Sequence, residues 1–478
     1  MPGTRDGTSS QSWFQDLFGF KERDYEETRA NFEFSGQSLT SKVNGKTFHV
    51  GQFEVATARN LRHRLDRAQT TADKEYWITG GLRFANTVGD TRKLHLDPAN
   101  AGAVFQVASL FNCLETTLAG RGPEAGVASY TSRPAQGAAA AAACPAALVY
   151  RNYFVNSTGQ LKQELDCLAA LGKFVRNNEE RYWTCVRGYC LPLVPQNMAR
   201  LSQMISQDRD FKAEVEAHVQ VGVHWDAEVM GGTHQVCQVF TSALPIARMK
   251  QRLSTEWAGL AVAVMTAAFD TVLAAACIQA TERCSRVKVY LTALGGGELG
   301  NRRSWIVEAI NRALINHETE PLDVLLVHYS QVSMEYRALE TGRQPVSTPH
   351  AKPNRQSQLD FLKSTPTYKA AVNDYGDTEA SKLTQAFAHM DMNGDGVIDR
   401  IELMHALQKI DAEFFTAKVV TALFDEADCD GNGTIHYEEL VEWLCTEDED
   451  IKSSICGTAA LSPSIRAATG KSPFFTAS

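Results

Sequence analysis

Residues 287–329 read VKVYLTALGGGELGNRRSWIVEAINRALINHETEPLDVLLVHY, and their pattern indicates the fold class of the larger part of the chain. Two short apolar runs, 287–294 and 322–329, are typical of buried strands. Between them, apolar residues at 305, 306, 310, 313 and 314 have the spacing of an amphipathic helix over 303–316. A strand, a helix and a second strand within about 40 residues predict a parallel pair in an α/β sheet.

A glycine-rich segment joins the first of these strands to the helix. It contains Gly295, Gly296, Gly297 and Gly300, and it formally matches G-x-G-x-x-G. Such a loop can turn backbone N–H groups toward a phosphate, and an ordinary tight turn is the alternative. A dinucleotide site would also need an acidic residue at the end of the next strand. The residues there are His328 and Tyr329, which disfavours a dehydrogenase.

Working outward, the sequence predicts further elements of the same α/β body. Residues 102–110 are a candidate strand, and the alanine-rich segment 138–150 is a candidate helix that Pro145 must start or kink. The long apolar stretch 257–280 contains polar residues, so a buried helix explains it better than a membrane span. The predicted divisions are an N-terminal arm (1–30), the α/β body (31–330), a proline-rich linker (331–376), an acidic helical module (377–446) and a disordered tail (447–478).

Charge and cysteine content limit the classes of function. The formal net charge is −9, but residues 377–450 contain 19 acidic and 4 basic residues and therefore carry −15. The remainder is only mildly basic, which argues against nucleic acid as a partner. The 11 cysteines show no disulfide framework or zinc spacing, and the N-terminus shows no signal peptide. These features predict a cytoplasmic protein with reduced thiols and no membrane partner.

Two twelve-residue segments, 391–402 and 428–439, carry oxygen-bearing residues at the positions that a calcium loop requires. A glycine at the sixth position of each permits the sharp turn. Ile398 and Ile435, at the eighth positions, are expected to join the loops through a short β-bridge. Residues 380–446 resemble the EF-hand superfamily, and Ca²⁺ is the expected cofactor. The expected ligands are Asp391, Asn393, Asp395, the Val397 carbonyl, Asp399 and Glu402 in the first loop, and Asp428, Asp430, Asn432, Thr434, His436 and Glu439 in the second.

A second resemblance concerns the body. The run 289–329, together with FQVASLFNCLE at 105–115, looks like parts of a macrodomain, and most like a divergent branch that removes ADP-ribose from arginine. The resemblance covers residues 100–330 and implies a mixed or parallel sheet with flanking helices. It implies that the glycine-rich loop holds phosphate and ribose, and that Asn112 faces the distal ribose. The ligand-binding candidates are Asn112, Gln136, Gly295, Gly296, Gly297, Gly300 and Asn301.

Cleavage of the N-glycosidic bond of ADP-ribose passes through an oxocarbenium-like state, which a nearby carboxylate stabilises while water attacks. Asp226, Glu115 and Glu298 are the candidates for that carboxylate. His224, beside Asp226, is a further polar candidate. His234, Gln238 and Ser242 would share a face if their segment were helical. For each of these polar clusters, a buried structural hydrogen bond is the alternative.

The sequence thus predicts a calcium-binding protein whose α/β body binds, and hydrolyses, an ADP-ribose conjugate. A calcium-responsive module that binds such a ligand or another nucleotide without turnover is the alternative. The expected partners are Ca²⁺ and an ADP-ribose-type ligand or an ADP-ribosylated protein.

Overall fold

The computed structural model describes residues 12–71, 81–115, 122–132, 135–248, 255–329, 332–346, 387, 390–391, 397–408, 416–428 and 433–437. The chain forms two compact units. The first, here termed the body, comprises residues 1–329 and 335–347. The second, here termed the C-terminal lobe, contains both predicted calcium loops.

Strands are numbered in chain order. In the body, β1 to β12 are Phe32–Ser35, Ser38–Ser41, Thr47–His49, Gln52–Thr57, Arg83–Val88, Val104–Ala108, Trp183–Val186, Tyr189–Pro192, Gln220–Glu228, Gln235–Thr241, Val287–Thr292 and Leu322–His328. In the C-terminal lobe, β13 and β14 are Val397–Ile398 and Ile435–His436.

Helices are numbered in the same way. In the body, α1 to α13 are Ser12–Phe18, Tyr25–Ala30, Ala58–Thr71, Thr91–Leu96, Gln136–Ala142, Pro145–Tyr153, Ala169–Phe174, Asn177–Glu180, Pro195–Gln207, Arg209–His218, Ala258–Arg283, Arg303–Asn316 and Met334–Arg337. In the C-terminal lobe, α14 and α15 are Arg400–Gln408 and Ala417–Ala427.

A seven-stranded mixed sheet, in the order β4-β9-β10-β6-β11-β12-β5, organises the body. Five neighbouring strands, from β10 to β5, are parallel, and β9 runs antiparallel between β10 and β4. The parallel pair β11 and β12 and the helix α12 between them agree with the pattern of residues 287–329. The predicted fold class, an α/β body with a mixed sheet and flanking helices, is confirmed.

Helix α11 is the central element on one face of the sheet. It is long and apolar enough to cross a membrane, but every residue of its apolar window is buried inside the body. It packs against α3, α9, α10 and α12. A helix that is apolar all round must be covered on all sides, so the prediction of a core helix is correct. Pro145 begins α6 as predicted, because a proline at the first helical position needs no N–H partner.

Two segments outside the predicted body in fact belong to it. In the N-terminal region, Phe14 and Phe18 are fully buried and pack edge-to-face with Phe32. Residues 335–346 were expected to be linker, but Phe84 N–H donates to the Gln344 carbonyl at the edge strand β5. The body therefore ends later than residue 330.

The described part of the C-terminal lobe contains α14, which follows the first loop, and α15, which precedes the second. Strands β13 and β14 pair antiparallel, with Ile398 opposite Ile435, which confirms the expected bridge between the loops. Both isoleucines are fully buried, as are Phe387 and Phe424. The lobe therefore has an apolar core of its own, which fixes the two loops side by side.

Candidate functional site

The candidate site lies where the carboxyl ends of the parallel strands meet. After β6 the chain enters α5 and α6, which cover the sheet face that carries Phe105 and Tyr290. After β11 it enters α12, which packs with α11 on the opposite face. Where successive crossovers leave on opposite faces, the loops diverge and leave a crevice. The topology therefore predicts a crevice between the carboxyl ends of β6 and β11.

The strands themselves separate at this point. Pairing of β6 with β11 is limited to Val104 with Val289 and Phe105 with Tyr290. One residue further on, the side chain of Gln106 enters the gap, and its Oε1 accepts a hydrogen bond from the Thr292 N–H at 3.0 Å. Gln106 is 1% exposed. The buried side-chain amide of Gln106 therefore lies between the two strands, where a backbone hydrogen-bond ladder would otherwise continue.

The start of α5 closes one side of the crevice. A Cβ built on Gly137 would lie 1.9 Å from the Ala108 carbonyl oxygen and 2.8 Å from a carboxylate oxygen of Glu115. Only glycine allows α5 to approach the end of β6 so closely. Glu115 is half-buried there, and its backbone N–H donates to the Tyr130 hydroxyl at 2.8 Å. Gln136 and Glu115, both predicted from the sequence, are thus brought together.

The glycine-rich loop closes the other side. Gly295 and Gly300 have φ values of +85° and +63°, which favour glycine. Asn301 fastens the loop, because its N–H donates to the Gly295 carbonyl and its Nδ2 donates to the Leu244 carbonyl, both at 2.8 Å. At the tip, a Cβ on Gly297 would meet nothing within 4 Å. The loop therefore has two fixed ends and an open, exposed tip that includes Glu298.

Several buried polar atoms near these strand ends have no hydrogen-bond partner among the described residues. They are Gln106 Nε2, Thr241 Oγ1 at the end of β10, Gln136 Oε1 and Asn301 Oδ1. Buried polar atoms in native proteins are almost always paired with protein, water or ligand. A polar ligand or ordered water near these strand ends would complete the hydrogen bonding of these four atoms. Sequence reasoning missed Gln106, although a glutamine inside the apolar strand VFQVA was the available signal.

Asn112 does not face the crevice as the macrodomain resemblance implied. It is fully buried in the turn after β6. Its Nδ2 donates to the Glu164 carboxylate at 2.8 Å, and its Oδ1 accepts from the Leu114 N–H at 3.1 Å. A side chain with these partners holds the turn in shape.

Asp226 lies at the opposite edge of the sheet. It is near the carboxyl end of β9, and β9 is antiparallel to β10. At about 3.3 Å per residue, roughly 15 Å separates it from the carboxyl edge of the parallel strands. Its carboxylate pairs with Arg283 at 3.2 Å. The structure therefore does not bring Asp226 together with Glu115, Glu298 or the glycine-rich loop.

The histidine candidates have structural roles. Residues 235–241 form strand β10, so His234 and Gln238 do not share a helix face. Gln238 Nε2 donates to His95 Nε2 at 3.1 Å, and His95 Nδ1 donates to the Thr91 carbonyl at 2.6 Å. Burial lowers the pKa of His95 to about 4. Burial, followed by the neighbouring Arg151, also lowers the pKa of His224 well below its ordinary value, so both rings are neutral near pH 7.

The described part of the calcium loops has the geometry of the motif. Gly433 N–H, at the sixth position of the second loop, donates to the Asp428 carboxylate at 2.8 Å. In the first loop, Asp399 Oδ1 accepts from the Glu402 N–H at 2.8 Å, and Glu402 Oε2 accepts from the Asp399 N–H at 3.0 Å. Asp391 and Glu402 are only 4% and 6% exposed. Two nearly buried carboxylates in one loop are costly without a cation, so these residues fit Ca²⁺.

Three further ligand positions lie at the bridge between the loops. Val397 pairs with His436 within the bridge, and Thr434 directly precedes it. Within the described ranges, no group of three or more His, Cys, Asp or Glu side chains is arranged around a metal position. The predicted ligands not described are Asn393, Asp395, Asp430, Asn432 and Glu439.

Known structures similar to the body are poly(ADP-ribose) glycohydrolases. The enzyme from Thermomonospora curvata is 12% identical, with a TM-score of 0.31, over 64% of this chain and 92% of that one. A mutant enzyme from Deinococcus radiodurans in complex with ADP-ribose is 10% identical, with a TM-score of 0.31, over 60% and 91%. Likeness at this level carries no argument about activity.

The C-terminal lobe matches known proteins in sequence. The family model of an EF-hand domain pair matches residues 380–445. The bovine EF-hand domain-containing family member B is 39% identical over 67 residues, which are 14% of this chain and 8% of that protein. Fimbrin of Dictyostelium discoideum is 34% identical over 71 residues, 15% of this chain and 12% of that protein. The chain thus spans about a tenth of these relatives.

A smaller relative is covered over about three quarters of its length. The probable calcium-binding protein CML29 of Arabidopsis thaliana is 36% identical over 66 residues, which are 14% of this chain and 77% of that protein. Through residues 380–445, the chain belongs to the EF-hand family of calcium-binding proteins.

Proposed function

We propose that this chain binds two Ca²⁺ ions in its C-terminal lobe, and that its body binds an ADP-ribose conjugate in the crevice between β6 and β11 and hydrolyses it. The observation that carries the proposal for the body is the separation of these two strands beside an open glycine tip. A phosphate at the tip would accept from exposed backbone N–H groups. The unpartnered atoms of Gln106, Gln136 and Asn301 would bond the ribose hydroxyls.

Glu115 is the carboxylate that best fits hydrolysis. It is half-buried at the end of β6, held through its backbone by Tyr130, and adjacent to the start of α5. A carboxylate in this position would stabilise positive charge on the anomeric carbon as the bond to the arginine nitrogen breaks. Water then adds to that carbon, and the departing nitrogen takes up a proton. Glu298, on the exposed tip, would instead lie beside the phosphates and repel them.

Binding without turnover is the second candidate. Of the three acids predicted from the sequence, Asp226 is at the far edge and Glu298 is exposed at the loop tip, so catalysis rests on Glu115 alone. A protein that binds ADP-ribose without cleaving it would need the glycine-rich loop and the unpartnered amides, but it would need no carboxylate. The two candidates therefore differ at one residue.

Calorimetry of the full chain with ADP-ribose, NAD⁺ and ATP tests the binding site. We expect ADP-ribose to bind best, and the Gly297→Val variant to lose this binding while its circular dichroism is unchanged. Failure of the wild-type chain to bind any of the three would overturn the proposed site. Release of ADP-ribose from an ADP-ribosylated arginine peptide then separates the candidates. If Glu115→Gln loses the release of ADP-ribose and Glu298→Gln does not, hydrolysis is supported. If the wild-type chain binds ADP-ribose but releases none from the peptide, binding without turnover is supported.

Calcium binding has its own test. Calorimetry should show two Ca²⁺ per chain, and the double variant Glu402→Gln/Glu439→Gln should bind none, because each change removes a bidentate ligand. Binding that survives both changes would contradict the assignment.

A cytoplasmic location stays a prediction. The eight cysteines in the described part of the chain are free thiols, as that prediction requires.

A further inference from the structure

Two buried thiols touch each other beneath the turn that leads from β6 to Glu115. Cys113 Sγ and Cys167 Sγ are 3.5 Å apart, and the residues are 1% and 3% exposed. They are 54 positions apart in sequence, and the Cys167 N–H also donates to the Phe111 carbonyl at 2.8 Å. The backbone of Cys113 has a φ of +59°, which is unusual for a residue with a side chain. The contact therefore joins two distant segments at a constrained point of the turn.

A buried cation lies in the same region. Arg151 is fully buried, its guanidinium lies 3.7 Å from the centre of the Phe240 ring, and its Nη1 is 3.2 Å from His224 Nδ1. In the part of the chain that the structure describes, its Nε and Nη2 have no hydrogen-bond partner. Among the described residues, no carboxylate forms an ion pair with Arg151. The acidic groups that interact with it are the side chains of Cys113, Tyr130 and Cys144.

A buried guanidinium without an anion is costly. Burial lowers the pKa of Arg151 to about 10, so it is still charged near pH 7. Of the three neighbouring groups, Cys113 is the one whose sulfur lies 3.5 Å from the Cys167 sulfur. The pKa of Cys167 is raised well above its ordinary value by its hydrogen bond with Cys113 and by burial, so Cys167 keeps its proton. Cys113 is therefore the thiol that lies both near Arg151 and against a second thiol.

We propose that Cys113 and Cys167 form a reversible disulfide in the presence of a peroxide, and that Arg151 stabilises the Cys113 thiolate that reacts. The thiolate attacks hydrogen peroxide, the O–O bond breaks, and Cys113 becomes a sulfenic acid while hydroxide leaves and takes up a proton. The Cys167 sulfur then attacks the Cys113 sulfur. The S–S bond forms, the S–O bond breaks, and water leaves. Two thiols are oxidised, and one peroxide is reduced to two waters.

The disulfide would alter the crevice. Its formation shortens the S–S separation from 3.5 Å to about 2.05 Å, and this shift falls on the turn that holds Glu115. Oxidation should therefore change the affinity for ADP-ribose, a consequence that rests on the proposed function. Formation of the bond itself does not depend on that function.

The chain contains a matched pair of thiols for comparison. Cys185 and Cys190 lie directly opposite each other in the β7–β8 hairpin. Burial raises the pKa of both, and the carboxylate of Asp166 raises it further. None of the causes that act on these two pKa values among the described residues is an arginine, so these thiols should react more slowly even though Cys185 is the more exposed.

The test treats the full chain with hydrogen peroxide, alkylates the remaining thiols and maps linked peptides by mass spectrometry. We expect a Cys113–Cys167 link that dithiothreitol reverses. Arg151→Met should slow its formation at least tenfold, and Arg151→Lys, which keeps the charge, should restore much of the rate. Earlier linkage of Cys185 to Cys190, or an unchanged rate in Arg151→Met, would overturn the proposal.

A second pair of variants covers the case in which Arg151→Met does not fold. In Cys167→Ser, dimedone should trap a sulfenic acid on Cys113. In Cys113→Ser, Cys167 should stay unmodified under the same treatment. Modification of Cys167 in that variant would show that Cys167, and not Cys113, is the thiol that reacts with peroxide. Peptide mapping gives these results whether or not the chain binds ADP-ribose, so failure of the proposed function is distinguishable from failure of the disulfide.

Discussion

Gln106 Oε1 accepts a hydrogen bond from the Thr292 backbone N–H at 3.0 Å, so a side chain takes the place of a backbone carbonyl between β6 and β11. Parallel strands in the middle of a sheet normally satisfy each other's backbone groups. Here the two strands part, and a fully buried amide prevents the loss of a hydrogen bond at the point of separation. The Nε2 of the same residue is buried and has no hydrogen-bond partner among the described residues.

Gln106→Leu should therefore destabilise the body. It leaves the buried Thr292 N–H without an acceptor, which costs about 1–3 kcal/mol in the free energy of unfolding. Thr241→Val is the matched control, because Thr241 Oγ1 has no hydrogen-bond partner among the residues described and its loss should cost little. Urea unfolding measures both. Equal destabilisation by the two variants would show that the Gln106 hydrogen bond has no special role.

Substitution of two glycines of one loop should have different effects on the free energy of unfolding. Gly297→Val should leave the free energy of unfolding nearly unchanged, because nothing lies within 4 Å of its Cβ position. Gly300→Val should cost at least about 1 kcal/mol, because its φ is +63° and its Cβ would lie 2.5 Å from the Cβ of Ala247. Thermal unfolding of the two variants, followed by circular dichroism, tests this difference. A larger loss in Gly297→Val would mean that the tip is packed.

Stability of the body should fall as the pH is lowered from 7.5 to 5. Burial holds the pKa of His95 at about 4, against an ordinary value of 6.5, so in this window the unfolded chain takes up a proton and the folded chain does not. Between pH 6.5 and 4 the stability that the neutral His95 contributes is therefore lost progressively. At pH 5 this residue alone lowers the free energy of unfolding by about 2 kcal/mol. In His95→Gln the pH dependence should be weaker. The exposed His63→Gln is the control, and an equal change in it would contradict the assignment to His95.

The first calcium loop should bind Ca²⁺ more tightly than the second. It offers carboxylates at 391, 395, 399 and 402, whereas the second offers them at 428, 430 and 439. A larger ligand charge favours the cation. Calorimetry on Glu439→Gln reports the first loop, and calorimetry on Glu402→Gln reports the second. If the second loop proves tighter, the number of carboxylates does not set the order of affinity in this lobe.

The features predicted correctly from the sequence depend on local pattern. The helix over 303–316 and the strands around it have the periodicity of their own residues, and Pro145 marks the start of α6. The pairing of Ile398 with Ile435 follows from their equal positions in two similar loops. In each case the deciding information lies within one motif.

The features that the sequence did not reveal depend on distant contacts. The edge occupied by Asp226 is set by the direction of β9, which is fixed only when β9 pairs with β10 and β4. A hydrogen bond to Glu164, which lies 52 positions later in the sequence, holds Asn112 away from the crevice. The spacing of His234 and Gln238 is compatible with a helix, and strand pairing decides against it. The alternation of side chains in a strand gives no sign of which partner it will have.

Helix α11 also sets a limit on how this chain can be divided for study. Alone, a 26-residue apolar helix long enough to span a bilayer would aggregate or partition into detergent and lipid. It stays in water only when α3, α9, α10 and α12 surround it, and these helices come from residues on both sides of it in the chain. A nascent chain released from the ribosome before α12 is made would expose this surface to chaperones. Expression of the body in isolation should therefore retain residues 58–316 at least, since any cut within that span uncovers α11.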